Sequence, residues 1–218
     1  MDKLFTKKCN VDGKTLLLVA LNSGATEYNF GDLAEIVEDE FTRLSHFIRE
    51  TAQILYIRDN QALSIEGKYA GGHTYFPTET MIAVPSWQKL SRSDVVAVVA
   101  HELHHMARWQ MIGYGSTLGG ALASEGFATY YEEIRSGVKP KWAQREVSQE
   151  IRMQARQEWN SETYNHAQWF FDGPHGKWTG YSLGYELAKK KLPQFNLEST
   201  ITLRSSELLE ALNETGPH

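Results

Sequence analysis

The sequence holds a single cysteine, Cys9, among 218 residues. An internal disulfide or a thiolate metal cluster is therefore impossible within one chain, and a reducing compartment, the cytoplasm, is the expected location. Long apolar runs are lacking too. The longest, Leu16 to Leu21 and Val95 to Ala100, fall far short of the roughly 20 residues that span a bilayer. Lys3, Lys7 and Lys8 stand near the amino end, but Asp12 and Lys14 interrupt the approach to the first apolar run and no clean small-x-small cleavage pattern follows. A secretory signal is not expected. Basic surplus is also missing: the net charge of -5 does not suit phosphate backbones or anionic lipid, so neither nucleic acid nor membrane is an expected partner. Internal repeats and low-complexity segments are absent from the chain.

What remains is an ordinary globular composition, 41% hydrophobic and 22% charged, with little shift along the chain. One domain over residues 1–218 is expected, divisible into an α/β lobe at 1–115 and a helical lobe at 116–218. Asn10 to Gly13 is turn chemistry ahead of the β-rich run Leu16 to Leu21. From Asp32 to Glu50 the apolar residues Leu33, Ile36, Val37, Phe41, Leu44, Phe47 and Ile48 keep helical spacing behind Asp32 as N-cap. Short β-like runs follow at Ile54 to Ile57, His73 to Phe76 and Met81 to Val84, separated by Asp59-Asn60, Gly71-Gly72 and Pro77 and ending at Pro85. A capping pattern at Ser91 to Asp94 opens a helix to about Gln110. Further helices are expected from Leu118 to Arg135, from Pro140 in a first turn toward Trp159, and from Trp178 to Leu192, where Pro193 closes the last.

The chemistry lies in the strongest of these helices. His101, Glu102, Leu103, His104 and His105 spell H-E-x-x-H. Helical residues i and i+4 share one face a turn apart, so both imidazoles can reach one cation while Glu102 sits beside them. Neutral nitrogen ligands of this kind suit zinc, and a catalytic zinc takes a third protein ligand. Glu125 is the candidate, on the helix that follows the glycine-rich connection Gly113 to Gly120. Two antiparallel helices joined that way can bring Glu125 opposite the histidine pair. His104, at i+3 from His101, is a competing ligand or a supporting histidine.

H-E-x-x-H followed after nineteen residues by glutamate resembles the gluzincins, the thermolysin-like zinc metallopeptidases. More loosely, His101 to His105, the run Ser124-Glu125-Gly126-Phe127-Ala128 and the later Gly180-Tyr181-Ser182-Leu183-Gly184 resemble a bacterial family of predicted Zn-dependent proteases. The resemblance implies an α+β, zincin-like fold: a small mixed sheet packed on the H-E-x-x-H helix, with a mostly helical carboxyl half. It implies His101, His105 and Glu125 as metal ligands, Glu102 as general base and a peptide or protein as substrate. The thermolysin pattern has Asn before the ligand glutamate and Asp four residues after it; this chain has Ser124 and Thr129. Glu132 or a backbone carbonyl could take over the aspartate's task of orienting a histidine.

In that chemistry the metal activates a water and polarises the scissile carbonyl, and Glu102 takes the water proton and delivers it to the leaving amine. A further donor should stabilise the oxyanion, and the resemblance to related peptidases implies a Tyr or His from the later part of the chain, with Tyr181 first and His175 second; Tyr185 and Tyr114 are alternatives. Tyr181 and Tyr185 are also spaced as core aromatics are, and Gly180 and Gly184 suit close helix contact. The resemblance to zincins also implies that an extended substrate pairs with an edge strand before the helix, for which Thr80 to Val84 is the candidate. The alternative reading is a catalytically inactive zincin-fold module that binds peptides or regulates.

Overall fold

The structure is a computed structural model that describes residues 4–21, 25–58, 70–84, 87 and 90–214. The expected turn at Asp59-Asn60 and the end of the sheet at Pro85 lie outside the described residues. The chain forms two compact units, Met1–Met111 with Arg135–Gly137, and Ile112–Ile134 with Val138–His218. Among the described residues no helix is long and apolar enough to cross a membrane.

The first unit is built on a five-stranded mixed sheet. Strands β1 (Leu4–Val11) and β2 (Lys14–Leu21) form an antiparallel hairpin. Asp12 and Gly13 turn it with φ of 51° and 76°, the left-handed pair that a two-residue turn needs to match strand twist. A parallel partner for β2 requires a crossover, and helix α1 (Glu27–Leu44) supplies it before β3 (Ala52–Arg58). Strands β4 (Gly71–Phe76) and β5 (Glu79–Ala83) complete the order β1-β2-β3-β5-β4. Alternate residues Leu16 and Leu18 of β2, and Leu55 and Ile57 of β3, are fully buried; so are Val37, Phe41 and Leu44 of α1. Helix α2 (Arg92–Ile112) then carries the histidine motif. Its start is a reciprocal cap: Asp94 N donates to Ser91 Oγ at 3.2 Å, and Ser91 N to Asp94 Oδ2 at 3.0 Å, as the spacing predicts.

Two expectations for this unit are corrected. Helix α1 starts before Asp32, because Thr26 is the N-cap, its hydroxyl accepting from Asn29 N at 3.2 Å, and it gives way at Ser45–Phe47 to a 3-10 turn. The run Thr80 to Val84 is not a sheet edge. Strand β5 pairs with β3 on one side and β4 on the other, and Thr80 to Val84 are all buried, which explains the continuous apolar character of Met81 to Val84. Among the described residues the edge on that side is β4, bulged between Thr74 and Phe76 and too short and mixed to announce itself by alternation.

The second unit is helical: α3 (Leu118–Ser136), α4 (Gln149–Glu158), α5 (His166–Phe170), α6 (Thr179–Lys191) and α7 (Ser205–Asn213). Leu122, Phe127, Trp159, Trp169, Phe170, Leu183 and Leu208 share its core. Helices α3 and α6 meet backbone to backbone. A methyl group on Gly184 would overlap Leu122 O and lie 3.1 Å from Gly126 Cα, and one on Gly180 would lie 2.7 Å from the Phe170 ring. Both glycines thus serve packing, as their spacing suggests.

The helix expected from Pro140 is corrected as well. Pro140 has extended backbone ahead of a 3-10 turn at Lys141–Ala143, and α4 starts only after Ser148, whose hydroxyl accepts from Ile151 N at 3.4 Å. The Ser148 cap defines the true start. Helix α7 has no side-chain cap at its N-terminus, so the sequence signal that marks a helix start is missing there.

Candidate metal centre

His101 and His105 lie one turn apart on α2, and their Nε2 atoms face each other at 3.0 Å. The rings stand nearly perpendicular, 76° apart, with centroids separated by 4.7 Å. An imidazole that carries its proton on Nδ1 offers its Nε2 lone pair to a metal. Two nitrogen ligands at about 2.0–2.1 Å in a tetrahedral zinc shell would lie about 3.3 Å apart. The pair therefore fits a zinc ion with little rearrangement. His105 is 4% exposed and His104 fully buried, the His104 ring centroid 6.2 Å from that of His105.

Glu102 is held beside this pair by the edge of the sheet. Thr74 of β4 and Thr80 of β5 are cross-strand partners, with hydroxyls 2.8 Å apart. Thr74 Oγ1 lies 2.9 Å from Glu102 Oε2 and Thr80 Oγ1 3.4 Å from the same oxygen. Thr74 Oγ1 also lies 3.2 Å from the Glu102 carbonyl. Gly72 stands two residues before Thr74 and so on the same face of β4. A methyl there would overlap Glu102 Cγ and come within 2.6 Å of Cδ and Oε1. Glycine is what leaves room for the carboxylate, and the threonines fix its rotation. The sequence gives none of the three a role beside Glu102: Gly71-Gly72 is expected to separate strands but lies within β4, and Thr80 is expected only as the start of a sheet edge.

Within the second unit, Glu125 lies on α3 and is 6% exposed. Its Oε1 accepts a hydrogen bond from Tyr114 Oη at 2.6 Å. Burial, and after it the charge of Glu125, raise the Tyr164 hydroxyl above its ordinary pKa; that hydroxyl also lies 3.1 Å from His166 Nδ1. Ser124, Thr129 and Glu132 of the same helix are buried.

His175 and Tyr181 flank the start of α6. His175 Nε2 is 2.8 Å from the amide nitrogen of Gln168, so it is the acceptor of that bond, and the ring lies 4.5 Å from Trp169. Tyr181 packs edge-on to Phe170, centroids 5.3 Å apart. Tyr185 is buried, donates to Glu133 and receives Lys189 Nζ at 3.1 Å. Burial, and after it the hydrogen bond to Glu133, raise the Tyr185 pKa.

The model of a family described as "Predicted Zn-dependent protease (DUF2268)" matches residues 33–210. No curated protein matches the chain. A solved structure of an aminopeptidase N family protein from Idiomarina loihiensis aligns with a TM-score of 0.49 and 14% identity, covering 98% of this chain and 41% of that one. The chain thus spans well under half the length of that protein.

Proposed function

The chain belongs to the family of predicted Zn-dependent proteases, and on that premise we propose that it is a zinc metallopeptidase with a zincin-like, gluzincin-type fold over residues 1–218. The ligand set of this reading is His101, His105 and Glu125, two imidazoles and one carboxylate. The observation that carries it is the convergence of two imidazole Nε2 atoms at 3.0 Å beside a buried carboxylate pinned by two threonine hydroxyls. Two neutral nitrogens and one carboxylate are a donor set of catalytic zinc sites, which leave a position open for water.

Zinc held there would polarise a peptide carbonyl and lower the pKa of water toward neutrality. Glu102 is the base that takes the proton and hands it to the departing amine. Its Oε2 accepts from Thr74 at 2.9 Å, and Thr80 stands behind at 2.8 Å from the Thr74 hydroxyl, so Oε1, on the Gly72 side, is the oxygen that carries the proton in this reading. Tyr181 is the donor to the developing oxyanion in this reading, with His175 the alternative. An extended peptide would add to the outer edge of β4, where backbone groups give affinity with little dependence on side chains.

The zinc-loaded protein is expected to cleave members of a diverse peptide mixture, read by mass spectrometry. Cleavage should stop on chelation and return with added zinc. Cleavage indifferent to chelation, or none by the loaded protein, would overturn the proposal.

A further inference from the structure

The connection between α2 and α3 is built around one side chain. Tyr114 sits between Gly113 and Gly115, which have φ of 85° and 92°, a backbone that residues with side chains rarely adopt. A methyl on Gly115 would lie 2.9 Å from Gly120 Cα, so the turn folds tightly against the first turn of α3. That start is anchored from the other side as well. Leu118 N donates to Ser161 O at 3.1 Å and Gly119 N to Trp159 O at 2.9 Å, and Ser116 Oγ donates to Glu162 at 3.0 Å. The outcome of this clamping is a phenol placed two turns along α3, its hydroxyl donating to Glu125 Oε1 at 2.6 Å.

We infer that Tyr114 is a positioning residue for the third metal ligand: its hydroxyl fixes the Glu125 carboxylate so that Oε2 is the oxygen presented to zinc. This rests on the metallopeptidase reading above. A carboxylate on a helix has several rotamers and can ligate through one oxygen or two. A strong donor on Oε1 selects one rotamer and favours ligation through the other oxygen, lowering the entropy lost when the ion is bound. The other phenol that senses Glu125, Tyr164, lies 3.1 Å from His166 Nδ1, whereas the Tyr114 hydroxyl donates to Glu125 directly. Two left-handed glycines around a tyrosine are a costly local conformation, and the contact with Glu125 gives that conformation a purpose.

The test is Tyr114→Phe, which removes one oxygen and keeps the ring. Zinc affinity is measured by competition with a chromophoric chelator, and stability of the metal-free protein by thermal unfolding. Removing an outer hydrogen-bond partner of a ligand is expected to weaken zinc binding by about 10–100-fold, with metal-free stability unchanged. Unchanged affinity in the variant would overturn the inference while leaving the metal site standing. Affinity and metal-free stability falling together would overturn it in favour of a structural role. Folded wild-type protein that takes up no zinc would overturn both this inference and the reading it rests on.

Discussion

Replacement of Glu102 by glutamine is expected to leave zinc bound and to lower peptide hydrolysis by about 10²–10⁴-fold, the range that a positioned general base supplies. Glutamine matches glutamate in shape. It keeps the packing against Gly72 and can still accept from Thr74 and Thr80 through its amide oxygen. What it lacks is an oxygen basic enough to take a proton from water. Zinc content and thermal stability should therefore stay close to wild type while kcat/KM falls. A Glu102→Gln variant with wild-type turnover would remove Glu102 from the reaction.

Gly72→Ala is expected to have the second largest effect, although glycine has no side chain to take part in the reaction. Its new methyl would overlap Glu102 Cγ and approach Oε1 to 2.6 Å. The carboxylate cannot swing aside without losing the Thr74 hydrogen bond at 2.9 Å. Overpacking of this kind costs about 1–3 kcal/mol, partly relieved here because β4 is the sheet edge among the described residues. A base displaced by about 1 Å costs about 10²-fold in rate. The two variants should also be coupled: once Glu102 is glutamine, Gly72→Ala should lower turnover little further, since both act through the same carboxylate. Fully additive losses in the double variant would show that Gly72 acts elsewhere.

The histidine pair of the candidate site was legible from spacing because a helix converts spacing into position. H-E-x-x-H on a regular helix can present its two histidines to one cation, and the Nε2 atoms do converge. The helix carrying Glu125 was also readable, since glycines precede it and Gly137 follows it. The support of Glu102 was not readable. Thr74, Thr80 and Gly72 meet Glu102 through strand pairing and tertiary packing, and their local pattern is neither cleanly alternating nor apolar. The edge strand was misassigned for a related reason: a run of buried residues announces burial, not whether a strand has one neighbour or two. Tyr114 could be named only as one tyrosine among several. Its meaning comes from the left-handed Gly113 and Gly115, which aim it, and neighbouring glycines by themselves only announce a turn. Pro140 shows the reverse error, a sound start signal overridden by the later Ser148 cap and by the burial of Trp142 and Val147.

The central claim is that His101, His105 and Glu125 hold one zinc ion, and the most direct measurement is the metal content of purified protein. Wild type should carry near-stoichiometric zinc, and His105→Ala and Glu125→Ala should each lose most of it while remaining folded. Zinc retained at wild-type levels in either folded variant, or no zinc in wild type after supplementation, would contradict the account.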